Sequence, residues 1–246
     1  MTSLIRSIPR ALATLACCGP LLISSSANAH YLWIEPSAAG AKLYYGEADV
    51  LLKEKSPGKL DDIKSPQAFI QAAGSGKPAA ATINRTAEHF TINGDKSTPA
   101  VLVAEESLEV RDLTKHGLGT AKSNYYARHG QPGTNGAASP LALDVQARGP
   151  NTFTVVYRGR PLKGAKLEVI APNTWMQEHK TDAQGMVQIN TPWRGQYIVH
   201  VLYVDQTPGE FAGQKYQNLR NHLTYSFVKN EGTDPGPALP PKHVED

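Results

Sequence analysis

The chain has 246 residues, with 25 Lys and Arg against 22 Asp and Glu, eight His and two Cys. This near-neutral balance excludes the basic face that nucleic acid requires, and no run of like charge marks a membrane-surface patch. Both cysteines, Cys17 and Cys18, lie near the N-terminus, so the remainder has no thiol, disulfide or zinc–thiolate site and must draw its stability from burial.

The first 29 residues read as an export signal. Arg6 and Arg10 supply a positive start, Ala11 to Ile23 an apolar run, and Ala27-Asn28-Ala29 the small residues a signal peptidase accepts. The apolar run is short of the ~20 residues that span a bilayer, and Gly19-Pro20 interrupts it. Lipid attachment also fits poorly, because Cys17 stands where a small residue should precede Cys18, and Thr14 where a branched apolar residue should serve Cys17. Cleavage after Ala29 makes His30 the first residue of a periplasmic, non-inserted chain. Losing Arg6 and Arg10 leaves 23 Lys and Arg against 22 Asp and Glu.

Beyond residue 30 the pattern is all-β: short β-branched or aromatic runs divided by Gly, Pro, Asn and Asp. His30–Pro36, Lys42–Tyr45, Ala81–Ile83, His89–Ile92 and Ala100–Ala104 read as strands, with Asn93-Gly94-Asp95 as a hairpin turn between the last two. Ser65–Gln71 has room for one helical turn. Residues 105–147 carry mixed signals, and Gln131–Ser139 reads as an exposed loop. From Thr152 the strands are clearer: Thr152–Tyr157, Ala165–Ile170, Met186–Ile189, Gln196–Tyr203 and Leu223–Val228, with a tight turn at Thr181–Gly185. These intervals describe two β-sandwich-like domains, residues 30–148 and an immunoglobulin-like 149–228, followed by a disordered tail, 229–246.

The order Gly159-Arg-Pro-Leu-Lys-Gly-Ala-Lys-Leu-Glu-Val169, then Thr181-Asp-Ala-Gln-Gly185, then Gly195-Gln-Tyr-Ile-Val199 resembles immunoglobulin-like or prealbumin-like modules of exported bacterial proteins. Ala29-His30-Tyr-Leu-Trp-Ile-Glu-Pro36, with Gly46-Glu47 and His222-Leu-Thr-Tyr225, is similar to a bacterial periplasmic family of NikM-like components of nickel or cobalt uptake. The resemblance spans roughly residues 27–228 and is loose at Asn124–His129. It implies a metal-binding role beside a membrane transporter component, with nickel or cobalt as the ion.

The residues themselves support a metal role independently. A mature N-terminal histidine offers an α-amine and an imidazole in chelating geometry, and both nitrogens can be unprotonated near neutral pH. No compact ligand motif exists, so any site is assembled from separate strands. In Gln196–Tyr203, Ile198, His200 and Leu202 share a face; in the last strand His222, Thr224 and Ser226 do. Antiparallel pairing of these strands sets Leu202 opposite His222 and His200 one diagonal step away, within reach of one ion. His30, His200 and His222 are therefore the metal candidates. The affinity order among divalent ions favours copper for such nitrogen ligands, against nickel or cobalt from the resemblance. His129 sits beside a Gly-rich loop, His89 and His179 read as exposed, His116 as the end of a short helix, and His243 lies in the tail; Glu35 falls on the strand face opposite His30.

No catalytic motif is present: Ser-His-Asp and Cys-His arrangements are absent, and Asp61-Asp62 and Glu105-Glu106 point to opposite sides on a strand. Two other readings remain open. One is a metal-free interaction or carbohydrate-binding module. The other is a copper histidine-brace oxidoreductase with Tyr31, Trp33, Trp175 and Trp193 as surface aromatics.

Overall fold

The computed structural model describes residues 30–72, 77–94, 99–133, 138–237 and 240. The expected export signal and His243 lie outside them. Among the described residues there is no α-helix, and no helix long and apolar enough to cross a membrane.

The strands of the first half are β1 (Tyr31–Ser37), β2 (Gly40–Glu47), β3 (Leu52–Lys53), β4 (Gln67–Gln71), β5 (Ala79–Ala81), β6 (Ile83–Arg85), β7 (Phe90–Asn93), β8 (Ala100–Glu105), β9 (Arg111–Asp112) and β10 (Thr120–Gly130). The second half adds β11 (Leu143–Gly149), β12 (Thr152–Tyr157), β13 (Arg160–Pro161), β14 (Lys166–Ile170), β15 (Met176–Lys180), β16 (Met186–Gln188), β17 (Gly195–Asp205), β18 (Gly209–Phe211), β19 (Gln214–Tyr216) and β20 (Asn218–Lys229).

The all-β expectation holds, as stacked layers. A central sheet runs β15-β14-β17-β20-β10-β8-β4-β5, with β9 beside β10. One outer sheet is β1-β2-β7-β6 with β3 on β2; the other is β11-β12-β13 with β16 on β12. Alternation along the central strands explains how one sheet serves two cores. In β8, Leu102 packs with Phe153 and Val155 of the β11–β12 sheet, while Val101 and Val103 pack with Leu32, Ile34 and Leu43 of the β1–β2 sheet. In β17, Tyr197, Val199 and Val201 serve the first core, while Ile198 joins Tyr31, Trp33 and Tyr44 on the other side.

Several sequence expectations are corrected here. The boundary at 148/149 falls inside β11, which forms a hairpin with β12. The two halves share the central sheet through parallel pairing of β10 with β20, from Ala121↔Asn218 to His129↔Ser226, so the strands do not divide into two separate sandwiches. β7 and β8 do not form the expected hairpin, because Phe90 and Ile92 pair β7 with β2 in the outer sheet whereas β8 enters the central one; Asp95 of the expected Asn93-Gly94-Asp95 turn lies outside the described residues. Gln67–Gln71 is strand β4; a turn of 3₁₀ helix falls instead at Lys59–Asp62, where Asp61 accepts from the Gly58 amide and from Ser56. The tail is tied down at its start: Thr233 exchanges backbone hydrogen bonds with Pro192 and Arg194, and Arg194 pairs with Asp234.

Candidate functional site

The site grows from the way β1 is seated. In an antiparallel ladder the N–H and C=O of one residue point to the same side, and neighbours alternate. Leu32 and Ile34 turn their carbonyls away from β2 toward β20, where Thr224 Oγ1 donates to Leu32 O at 2.6 Å and Ser226 Oγ to Ile34 O at 2.8 Å. Gln196 Nε2 also donates to Ile34 O, at 2.8 Å. The polar face of β20 thus exists to hold the open side of an edge strand. By the same two-residue step, His222 is the β20 position that corresponds to His30.

The expected register of β17 and β20 is observed: Leu202 lies opposite His222, and His200 opposite Thr224. His200 and His222 are brought together, with Nε2 of the former 3.3 Å from Nδ1 of the latter. Tyr31 stacks on His200 with centroids 4.5 Å apart, and Tyr125 packs on His222 at 5.0 Å. Glu168, across from His200 in β14, places Oε2 3.2 Å from His200 Nδ1. This hydrogen bond leads the causes that hold the Glu168 carboxyl below the usual range. An ionised carboxylate only accepts, so His200 Nδ1–H donates to Glu168. Burial, reinforced by His200 and Arg220, holds the His222 imidazole well below its ordinary value, so it is neutral at pH 7.

His30 is oriented differently. Its Nε2 lies 2.5 Å from Glu54 Oε1 and its Nδ1 3.1 Å from Glu47 Oε1. Glu54 also faces Lys59 at 3.5 Å. The Glu47 contact is at ion-pair distance but lacks the direction of a hydrogen bond, and Glu47 Oε1 is buried with no hydrogen-bond partner. Burial is the main cause that raises the Glu47 carboxyl. The His30 ring packs on Tyr45 at 5.3 Å, and Tyr45 on Tyr125 at 5.8 Å. His30, Tyr45, Tyr125, His222, His200 and Tyr31 therefore form a continuous run of ring contacts. Within it, the His30 imidazole is turned to the two glutamates, not to His200 and His222. Among the described residues, no three His, Cys, Asp or Glu side chains converge on a point that could hold a metal ion.

The 3.3 Å between the two imidazole nitrogens is a hydrogen-bond spacing. Two ligands at tetrahedral angles, each ~2.05 Å from zinc, stand about 3.3 Å apart. The remaining histidines are placed elsewhere. His129, in β10, bonds Ser226 Oγ through Nδ1 at 2.9 Å; His179 bonds Gln177; His116 ends a 3₁₀ turn capped by Gly117; His89 packs on Tyr44. Glu35 lies on the face opposite His30, where it accepts from Trp33 Nε1. Tyr31 and Trp33 are core residues, 4% and 1% exposed, which removes them as surface aromatics; Trp175 is half-exposed and meets Trp193 edge-on at 5.3 Å. Glu47, Glu54 and Glu168 were not among the sequence candidates. The β1–β2 hairpin carries the signal for the first: Tyr31 pairs with Gly46, which sets His30 against Glu47.

Residues 139–205 match the model of a family described as domain of unknown function (DUF4198). That stretch runs from the start of the β11 region through β17, and so contains Glu168 and His200 but neither His30 nor His222. A search of curated proteins finds no match to the chain. A search of solved structures finds none either.

Proposed function

We propose that this chain is an exported, periplasmic protein that binds a divalent transition metal, with His200, His222 and the mature N-terminal His30 as ligands, and delivers it to a membrane transporter component. The observation that carries this reading is the buried His200–His222 pair, with Tyr31 stacked on His200 and its two nitrogens 3.3 Å apart, a ligand-to-ligand spacing. The free amine of a mature His30 is the third ligand in this reading. The His30 imidazole joins when its ring leaves Glu47 and Glu54. The NikM-like resemblance of residues 27–228 favours nickel or cobalt, with copper the competing ion. No catalytic residue is assigned.

The test is metal binding by chain exported and cleaved after Ala29, against a form carrying one extra residue before His30 and against His222→Ala. Stoichiometric binding, lost in both altered forms, is the expected result. Absence of binding in the mature wild-type chain leaves a metal-free interaction module as the better reading.

A further inference from the structure

Trp175 is an indole left in water that neither the packing of the sheets nor the metal reading uses. It is 50% exposed in the turn between β14 and β15, and its ring meets Trp193 of the β16–β17 loop edge-on, with centroids 5.3 Å apart. Burial is the default for so large an apolar side chain, so its exposure marks a contact surface. Both loops hold their tryptophan firmly. Thr174 N donates to Ala171 O at 2.8 Å, Ala171 N to Trp175 O at 2.9 Å, and Trp175 N to Asn173 Oδ1 at 3.2 Å. Thr174 is held at φ 63°, a costly conformation for a β-branched residue. In the facing loop, Tyr197 Oη accepts from Trp193 N at 2.8 Å and donates to Trp193 O at 3.0 Å. Gln177 Nε2 donates to Asn190 O at 3.0 Å and so ties β15 to that loop. An edge-on neighbour covers at most one face of Trp175, and the other is a flat, preorganised platform.

We propose that Trp175, braced by Trp193, is the stacking platform of a binding site for a neutral glycan, taking one pyranose ring against its open face. A pyranose has an apolar C–H face of about indole size and hydroxyls around its edge. Asn173, Thr174 and Asn190, beside the indoles in their loops, supply amide and hydroxyl partners for such an edge. The charges next to the indoles are paired, Arg194 with Asp234 and Glu178 with Lys166, so nothing in the turn selects an ion. A protein partner needs about 800 Å² on each side around an apolar centre. The exposed apolar side chains of this turn are Trp175 and Met176 alone. The site shares no residue with the metal reading, so each stands without the other.

The experiment titrates the mature chain with cellohexaose, maltohexaose and chitohexaose, read by the indole N–H signals in NMR and by tryptophan fluorescence. One stacked ring supports weak binding, with a Kd on the order of 1 mM. The expected result is saturable binding of at least one hexamer that shifts the Trp175 indole signal. Trp175→Ala weakens it about tenfold or more, while Trp175→Tyr, which keeps a ring, retains most of it. Met176→Ala removes a side chain of similar exposure and changes affinity less than about threefold. Equal weakening by Trp175→Ala and Met176→Ala shows general apolar contact and overturns the stacking assignment. Binding of none of the hexamers, or binding that leaves the wild-type Trp175 signal in place, overturns it as well. Self-association of the chain that Trp175→Ala abolishes assigns this face to a second copy and also overturns it. Glycan binding unchanged in His222→Ala keeps the result separate from the metal reading.

Discussion

The sharpest pH prediction concerns His129. Burial pushes its imidazole from the ordinary 6.5 down to about 4, and its Nδ1 bonds Ser226 Oγ at 2.9 Å. Between those values the unfolded chain binds a proton that the folded chain refuses. Stability from this group is therefore complete above pH 6.5 and is lost as pH falls toward 4. A shift of one unit is worth ~1.4 kcal/mol, so moving from pH 7 to pH 5 removes about 2 kcal/mol through His129 alone. His129→Gln retains a polar group for Ser226 and cannot titrate. Urea unfolding of both proteins at pH 7 and pH 5 gives the comparison. The fixed cost of the substitution cancels, and so do the contributions of the other histidines. Wild type should lose about 2 kcal/mol more than the variant over this interval. Parallel losses in the two proteins refute the claim that His129 is held neutral by burial.

Two further substitutions test the packing between sheets. Arg128 is fully buried and forks onto Asp144, with Nε–Oδ1 at 2.7 Å and Nη2–Oδ2 at 2.6 Å; Asp144→Asn should cost about 3–5 kcal/mol in urea unfolding, because it strands a buried guanidinium, and Arg128→Met with Asp144→Leu should recover most of it. Thr224→Val keeps the shape but removes the donor to Leu32 O and should cost about 1–3 kcal/mol, with faster amide exchange in β1 than in β8; uniform loss across the protein argues against a local seat for β1.

The fold was legible wherever strand alternation was undisturbed. β12, β14, β17 and β20 carry clean period-two patterns, and even the β17–β20 register follows from them. β10 was not legible, although it sits at the centre of the sheet. Lys122, Asn124 and Arg128 are buried in it, and polar residues at such positions read as loop. Two of them depend on distant partners: Lys122 donates to Glu106 O and Arg128 to Asp144, while Asn124 Oδ1 accepts from Lys122. Propensity has no access to a partner 16 residues away. Sheet membership was hidden for the same reason. The Asn93-Gly94 signal is a sound local turn, but the partner of β7 is decided by the packing of Phe90 and Ile92 against Leu43, and the partner of β8 by β10 and β4.

The histidine pair was legible because it needs only two adjacent strands and their parity. The carboxylates were not, since each depends on a second pairing: Glu168 through β14 and β17, Glu47 through the β1–β2 hairpin. The same parity argument explains why the polar side chains of β20 alternate as they do. An apolar face at 222, 224 and 226 would seal the sheets more tightly, but it would leave the Leu32 carbonyl without its donor and the Ile34 carbonyl with Gln196 alone. The hydroxyls of Thr224 and Ser226 answer two of the three positions. His222, at the third, has no β1 carbonyl to bond; it turns to His200, and that pair in turn to Glu168 on the rim. The row that seats β1 therefore ends, at its last position, in a buried imidazole pair.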